Sequence, residues 1–429
     1  MSRKVSFTSL GGANFIGASA YVLNFDGFKI GVDRGGQLNG GPSPINIAGS
    51  LDHILLSHYH HDHVGTFAQY LKNYPSLRGS ATQETIELFR VSSELEIARL
   101  NRKKGIDILP FGKEDLARAV ENISPVKVGQ ILDFGKVKVR FDKAGHTLGA
   151  VSFNFKFEGK NYIVTNDISF TESPASVIAP AVKPIRSDCC LLVRESTYIN
   201  YQPEESFEKV ESRLVEDCYG VLKKGGQVII PSLSDRIPHI FSLIWQSGIA
   251  DQYHVYIEGA RGIIDVFNKY SEKALSVLKK AKYFQDRYEI HRLMKSGNPA
   301  VIIGTSGMLY PGTSSAKWAV ECLPNKRSAI FIVNYQESGG QGQVLLDSHY
   351  NDFVVFNETM AIRKCRIAKY NISAHMTGKE GEELEERLQP RTIIYVHGDD
   401  KEIERYIAGK SRDKRFRRVK SFVGQEVWL

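Results

Sequence analysis

The segment SHYHHDHVG, residues 57–65, places four histidines and an aspartate within six positions. Imidazoles and carboxylates in such density are ligands for divalent metal ions. His58 and His60 are two apart, so in an extended segment they point to the same side. Asp62 and His63 follow on the turn and can face a second point nearby. This spacing suits two adjacent metal ions better than one. The alternative is an exposed histidine-rich loop that takes up metal adventitiously, and further candidate ligands downstream argue against it.

The run before the cluster, HILL, is apolar and reads as a buried strand, and VGTFAQYLKNY after it reads as the start of a helix. The cluster therefore sits at a strand's C-terminal end, where α/β folds place their chemistry. The other candidates share that position. Asp33 ends FKIGVD, Asp167 ends NYIVTND, Glu195 ends the strand of LLVREST and His397 ends TIIYVHGD. His375 follows YNIS, and His146 follows VKVRF in KAGHTLGA, where Gly145 and Gly149 allow close backbone approach. A single histidine in such a place is ordinarily structural; six ionisable residues each just past an apolar strand are not surface decoration.

The elements that must hold them can be read along the chain. Residues 1–75 alternate short apolar runs with Gly-rich turns and read as a sheet of hairpins. Residues 82–121 turn helical, and strand patterns return in VKVRFDKAGH, AVSFNFKFEG, KNYIVTND and CCLLVRES. From about residue 201 helix and strand alternate, with one long helical stretch before NPAVIIGTSG, which implies a parallel sheet flanked by helices. After 365 short strands return in RIAKYNISAH and RTIIYVHG around the acidic helix GKEGEELEERL. The expected organisation is one α/β domain, 1–200 with 365–429, into which a second α/β domain, 201–364, is inserted.

Composition narrows the class. The 429 residues are 42% hydrophobic and 24% charged, ordinary for a globular protein with ample core. There is no apolar run of eighteen residues, and MSRKVSFTSLGG lacks the apolar centre of a signal peptide, so no membrane partner is expected. Five scattered cysteines without a CxxC pair suggest reduced, buried thiols and a cytoplasmic protein. The net charge of +8 is compatible with a polyanionic partner. Its densest run, KSRDKRFRRVK (410–420), holds seven Lys or Arg in eleven positions. That run is either a solvated surface or a phosphate-contacting rim in which Lys414 and Arg415 would take part.

Taken together, Asp33, the H-x-H-x-D-H run from His58 to His63, His146 in AGHTLGA and Asp167 resemble the ordered motifs of the metallo-β-lactamase fold. Glu195 in EST-Y, His375 in SAH and His397 in VHG resemble the three motifs of its β-CASP subgroup. These are nucleic-acid hydrolases that include RNase J and the endonuclease of mRNA 3′-end cleavage. IIPSLSDR, TSGMLYPG and VNYQESGGQG resemble landmarks of the inserted β-CASP domain, and the likeness spans essentially the whole chain. The resemblance implies a metallo-β-lactamase αββα sandwich with an inserted β-CASP α/β domain and a centre of two zinc ions. His58, His60 and His146 would hold one ion, and Asp62, His63 and His397 the other, with Asp167 bridging. Two ions roughly 3.5–4 Å apart can activate hydroxide and neutralise charge at phosphorus. Asp33 would orient a ligand histidine, and His375, held by Glu195, would be the general acid. His61 has no ligand role in that pattern and is read as lining the cleft.

The sequence departs from the family pattern in three places. Asn166 replaces the glycine before the bridging aspartate, and asparagine tolerates the backbone angles needed. The segment Pro231–His239 is shorter than the family landmark and lacks its glycine and acidic end, leaving Arg236 as a candidate phosphate contact. VNYQESGGQGQ lacks the final arginine. Arg236, Ser306 of TSGMLYPG, Lys414 and Arg415 are the expected substrate contacts, and substrate identity is affected more than chemistry. His397 in the third motif matches RNA-acting members, where DNA-acting ones carry valine. RNA is therefore the expected substrate and DNA the alternative. A small-molecule hydrolase is disfavoured by the insertion, and a non-catalytic nucleic-acid scaffold by the complete ligand set. A homodimer is compatible with the sequence.

Overall fold

A computed structural model of the chain describes residues 4–37, 43–46, 50–102, 111–172, 178, 180–181, 188–284, 287–336, 339–356 and 358–429. Strands β1 (Val5–Gly11), β2 (Ala20–Phe25) and β3 (Phe28–Val32) pair as an antiparallel meander. β4 (His53–Leu55), β5 (Gly79–Thr82) and β6 (Ile123–Val126) extend that sheet in parallel. Hairpins therefore account for only its first half. β7 (Ile131–Asp133), β8 (Val137–Lys143), β9 (Val151–Phe157) and β10 (Lys160–Val164) form a second antiparallel run, which β11 (Cys189–Glu195) joins in parallel.

Next come β12 (Gln227–Pro231), β13 (His254–Glu258), β14 (Lys282–Tyr283), β15 (Ala300–Gly304) and β16 (Ala329–Ile332). The hairpin β17 (Phe353–Phe356) and β18 (Thr359–Ile362) precedes β19 (Arg366–Lys369), and the chain ends in β20 (Thr392–Val396), β21 (Arg417–Lys420) and β22 (Glu426–Trp428). The sheet orders are β22-β1-β2-β3-β4-β5-β6, β21-β20-β11-β10-β9-β8-β7 and β14-β13-β15-β12-β16-β19, the last entirely parallel. Residues 1–172, 179–203 and 374–429 make one compact unit, and residues 173–178 and 204–373 make a second.

In the first unit the two seven-stranded sheets face each other across a core that includes Phe7, Phe25, Val32, Phe141, Phe155, Val164 and Val193. β8 shows how sequence creates this layer: Val137, Val139 and Phe141 turn inward while Lys138 and Arg140 stay in water. Phe25 packs its ring against Phe155, Phe157 and Tyr162 at 5.4–5.6 Å. β11 is buried throughout because both faces are covered: Leu191 and Val193 join the inter-sheet core, Cys189 and Leu192 an outer one. That outer core also receives Leu384 and Leu388 of the helix Gly378–Leu388 and Ile403 and Tyr406 of the helix Asp400–Gly409.

Two segments differ from the pattern expected from sequence. The long helical stretch before β15 is three helices, Arg261–Tyr270, Glu272–Leu278 and Arg287–Ser296, with β14 between the last two. Ser271 makes the first break, because its extended backbone lets its hydroxyl cap Ala274 N at 3.1 Å. The strand RIAK, expected in the returning part of the outer domain, instead pairs with β16 in the six-stranded sheet. Arg366 fixes it there through two 2.6 Å bonds to Asp217. All five cysteines are buried and free. Among the described residues no helix is long and apolar enough to cross a membrane.

A buried ion pair ties β11 to the helix outside it. Arg194 Nη1 lies 2.5 Å from Glu385 Oε1, and Tyr395 OH donates to the same oxygen at 3.0 Å. A Cβ at Gly381 would meet the Arg194 guanidinium at 1.9 Å, so the helix can sit this close only with glycine there. Glu385→Gln leaves the arginine charge uncompensated and is expected to destabilise this unit by about 3–5 kcal/mol. The exposed Glu386→Gln should change it by under about 1 kcal/mol. Denaturant midpoints of the two variants make the comparison, and equal midpoints would mean the pair contributes nothing.

Candidate metal centre

The chain segments after β3, β4, β10, β11 and β20 converge within the first unit. Asp33 follows β3, Ser57 to His63 follow β4, Asp167 follows β10, Glu195 ends β11 and His397 follows β20. Three of these turns need a left-handed backbone at a non-glycine residue: Asp33 (φ 59°), Asn166 (φ 49°) and His397 (φ 54°). Asn166 thus adopts the conformation glycine would favour, which asparagine tolerates better than most residues. Gly35 is equally constrained, since a Cβ there would lie 1.8 Å from Asp62 O.

Two ligand groups contain the seven expected ligands: His58, His60, His146 and Asp167 form one, and Asp62, His63 and His397 the other, each with side-chain atoms within 4.8 Å of one another; Asp167, Glu195 and His375 make a third group of the same kind. In the first, His60 Nδ1 lies 3.1 Å from both His58 Nε2 and His146 Nε2. In the second, His397 Nε2 lies 3.1 Å and His63 Nε2 3.9 Å from Asp62 Oδ2. Asp167 reaches both: Oδ2 is 3.7, 3.5 and 3.3 Å from His58, His146 and His63, and Oδ1 is 3.4 Å from His397 Nδ1.

Partners on the far side of the rings set the tautomers. His63 Nδ1 donates to Asp33 Oδ2 at 2.7 Å, while Asp33 also accepts from Ser57 N and Oγ at 2.7 Å each. His146 Nδ1 donates to Ala374 O at 2.8 Å. Each bond turns the Nε2 lone pair toward the cluster, the orientation of a metal-ligating histidine. His63 Nε2 and Asp167 Oδ1 are buried with no hydrogen-bond partner. Buried polar atoms are normally satisfied. Three converging imidazole nitrogens, two orphaned atoms and the carboxylates of Asp33, Asp62, Asp167 and Glu195 in one buried site fit bound cations.

The protonation states agree. Burial, with the neighbouring His63, His60 and His146, pushes His58 well below the usual imidazole range. Burial would raise Asp167, but His397 and His63 hold it well below the carboxylate range. Burial also opposes a charge on His63, yet Asp167, Asp33 and Asp62 raise it well above 6.5, a positive charge standing where a cation fits.

His375 stands at the rim. Its ring centroid is 4.6 Å from that of His146, and Nδ1 donates to Glu195 Oε1 and Oε2 at 3.1 Å. Glu195 is itself fixed by the amides of Ile168 and Thr197. Sequence reading missed three participants: Ser57 and the Ala374 carbonyl, named above, and Thr197, whose Oγ1 lies 3.1 Å from His397 Nδ1. Ser57 and Thr197 stood inside the quoted motifs, but no spacing rule marks a hydroxyl or a carbonyl as a histidine's partner. His61 is exposed, its ring over Gly36 and Gly65, and lies outside both ligand groups.

The four expected substrate contacts lie apart from this cluster in sequence. Arg236, after β12, is buried and paired with Asp235 at 3.1 Å, and Ser306 follows the neighbouring strand β15 in the second unit. Lys414 and Arg415 lie before β21, where Arg415 pairs with Glu386 at 2.5 Å and with Asp413 at 2.9 Å. Arg418, Lys420 and Lys410 in the same run pair with Asp413, Asp400 and Glu382 at 2.8–2.9 Å. Acidic neighbours thus offset much of that basic run.

Two facing mixed sheets, with histidines and aspartates gathered in the loops after their strands, define a metallo-β-lactamase fold. Residues 48–191 match the family model of the metallo-beta-lactamase superfamily, and residues 236–345 match the Beta-Casp domain. The chain thus carries a metallo-beta-lactamase superfamily domain and a Beta-Casp domain. It is 24% identical to endoribonuclease YSH1 of Kluyveromyces lactis over 92% of this chain and 55% of that one. It is 25% identical to transcription termination factor FttA of Methanothermobacter thermautotrophicus over 92% of this chain and 67% of that one. The chain spans about half the length of the YSH1 proteins it matches. The crystal structure of a protein of unknown function from Enterococcus faecalis V583 shares the fold, with a TM-score of 0.61 at 14% identity over 99% of this chain and all of that one.

Burial disfavours a charge on His375, but Glu195 and Asp167 outweigh it and raise the ring's pKa to about 9. A raised folded-state value means the stabilisation is complete below the unfolded value of about 6.5 and is lost as pH climbs through 9. In metal-free protein the His375 ring should therefore titrate near 9 by NMR, and Glu195→Gln should move that midpoint down. A midpoint unmoved by Glu195→Gln would show that Glu195 does not set it.

Proposed function

We propose that this chain is a metal-dependent hydrolase of RNA phosphodiester bonds. The observation that carries the reading is the His375–Glu195 pair placed against a seven-residue His/Asp cluster. His58, His60 and His146 would hold one zinc ion, Asp62, His63 and His397 a second, with Asp167 shared. Two such ions would supply an activated water and neutralise charge on the phosphate. Asp33 keeps His63 in the ligating tautomer, and Ala374 O does the same for His146. Glu195 keeps a proton on His375, so the ring enters the reaction as an acid and can protonate the departing 3′-oxygen. RNA is favoured because YSH1 is named an endoribonuclease and because His397, present here, is the residue of the RNA-acting pattern.

The test separates metal binding from proton transfer. Wild-type protein purified with zinc should carry close to two ions per chain, cleave single-stranded RNA faster than matched DNA, and stop when chelated. His375→Ala should keep its zinc and its RNA binding but cleave roughly a hundred- to ten-thousand-fold more slowly. His397→Ala should lose zinc. Loss of zinc from His375→Ala with a full complement in His397→Ala would reverse the two roles. Faster cleavage of DNA would move the substrate to DNA, and zinc-loaded protein cleaving neither would refute the reading.

A further inference from the structure

The second unit carries a basic face that the sequence scatters and the fold assembles. Its six-stranded sheet is entirely parallel, so every segment that leads into a strand arrives at the same edge. Those segments are KKGG (223–226), GIADQY (248–253), KKAK (279–282), KSGNP (295–299), PNKRS (324–328) and RKC (363–365). They hold ten Lys or Arg and a single carboxylate, Asp251. Their convergence is physical. Gly226 packs against Arg327 O, Gln227 Nε2 donates to Asn298 O at 3.1 Å, and Lys364 N bonds Leu323 O at 2.7 Å.

Three features mark this face as a binding surface. Lys223, Lys224, Lys279, Lys295, Lys326 and Arg327 are exposed, and among the described residues no carboxylate lies within ion-pair range of any of them. This differs from the 410–420 run, where Lys410, Arg415, Arg418 and Lys420 are paired with acids. Lys326, Arg327 and Lys364 line a shallow, open depression together with Pro324 and Asn325. Two rings sit against lysines of other segments on this edge: Lys223 Nζ is 4.9 Å from the Tyr219 ring and Lys280 Nζ 4.7 Å from that of Trp245. Unpaired cations clustered on one edge, with aromatic rings among them, match a nucleic-acid backbone and its bases. A lipid surface would be met by apolar side chains interleaved among the cations.

We propose that this edge of the Beta-Casp-containing unit is a non-catalytic docking surface for the phosphate backbone of RNA. The choice of RNA rests on the function proposed above. The face adds length-dependent affinity: short RNAs would not need it, long ones would.

The test compares the full zinc-loaded chain with a Lys326→Gln/Arg327→Gln/Lys364→Gln variant and, independently, a Lys223→Gln/Lys224→Gln variant. Lys156→Gln/Lys160→Gln, at exposed positions on β9 and β10, is the control. Anisotropy with a labelled long RNA across a salt series should show the triple variant binding about tenfold or more weakly. Its salt slope should be shallower by about 0.7 per lost contact, with the thermal midpoint and cleavage of a short RNA unchanged. A triple variant with wild-type affinity and slope, while wild type cleaves RNA, overturns the docking surface and leaves the proposed function standing. Wild type that neither binds nor cleaves RNA overturns both. Equal weakening in the control assigns the effect to net charge, against the proposal. Loss of binding to phosphatidylserine vesicles with RNA binding intact makes the face a membrane surface instead.

Discussion

A carboxylate buried among four imidazoles, with one oxygen lacking a hydrogen bond, is the constraint on which the rest of the first unit turns. Asp167 touches both ligand groups, so its position fixes their separation. Buried charge of this kind is tolerated only when compensated. The fold supplies the compensation by bringing His63 and His397 to the carboxylate, and the orphaned atoms leave room for more positive charge than the protein provides. The left-handed turn at Asn166 and the glycine at 35 are consequences of packing loops this tightly around that point.

The strand architecture explains why such a site can exist. Side-chain alternation on β11 sends Arg194 outward to the helix Gly378–Leu388 and Glu195 inward to His375. One strand end therefore carries a stabilising pair and a candidate proton-transfer pair on opposite faces. The segment just before that helix, Ala374 to Thr377, contributes an orienting carbonyl and the candidate acid together, so a shift of the helix would disturb both.

The site was legible because its residues are chemically unusual and sit in short motifs: His58 to His63, His146, Asp167 and His397 all emerge from the same apolar-strand-then-ligand pattern. The αββα arrangement was implied by the resemblance of the motifs, and the alternation along β8 and the buried run CCLLV of β11 fit it. What escaped was set by tertiary contacts alone. Ala374 O matters only because the fold carries it to His146. RIAK reads as a strand in isolation, but its sheet is chosen by Arg366 meeting Asp217. The 410–420 run reads as free positive charge because Glu382, Glu386 and Asp400 reach it only in the folded chain. The unpaired basic face of the second unit was invisible for the converse reason: a parallel sheet gathers lysines that lie more than a hundred residues apart.

The central claim is that Asp167 is shared between two cations. Anomalous scattering at the zinc absorption edge, from crystals of the full zinc-loaded chain, measures this directly. The account expects two peaks, each about 2.0–2.2 Å from an Asp167 carboxylate oxygen, one among His58, His60 and His146 and the other among Asp62, His63 and His397. A single peak, or two peaks neither of which touches Asp167, would contradict it.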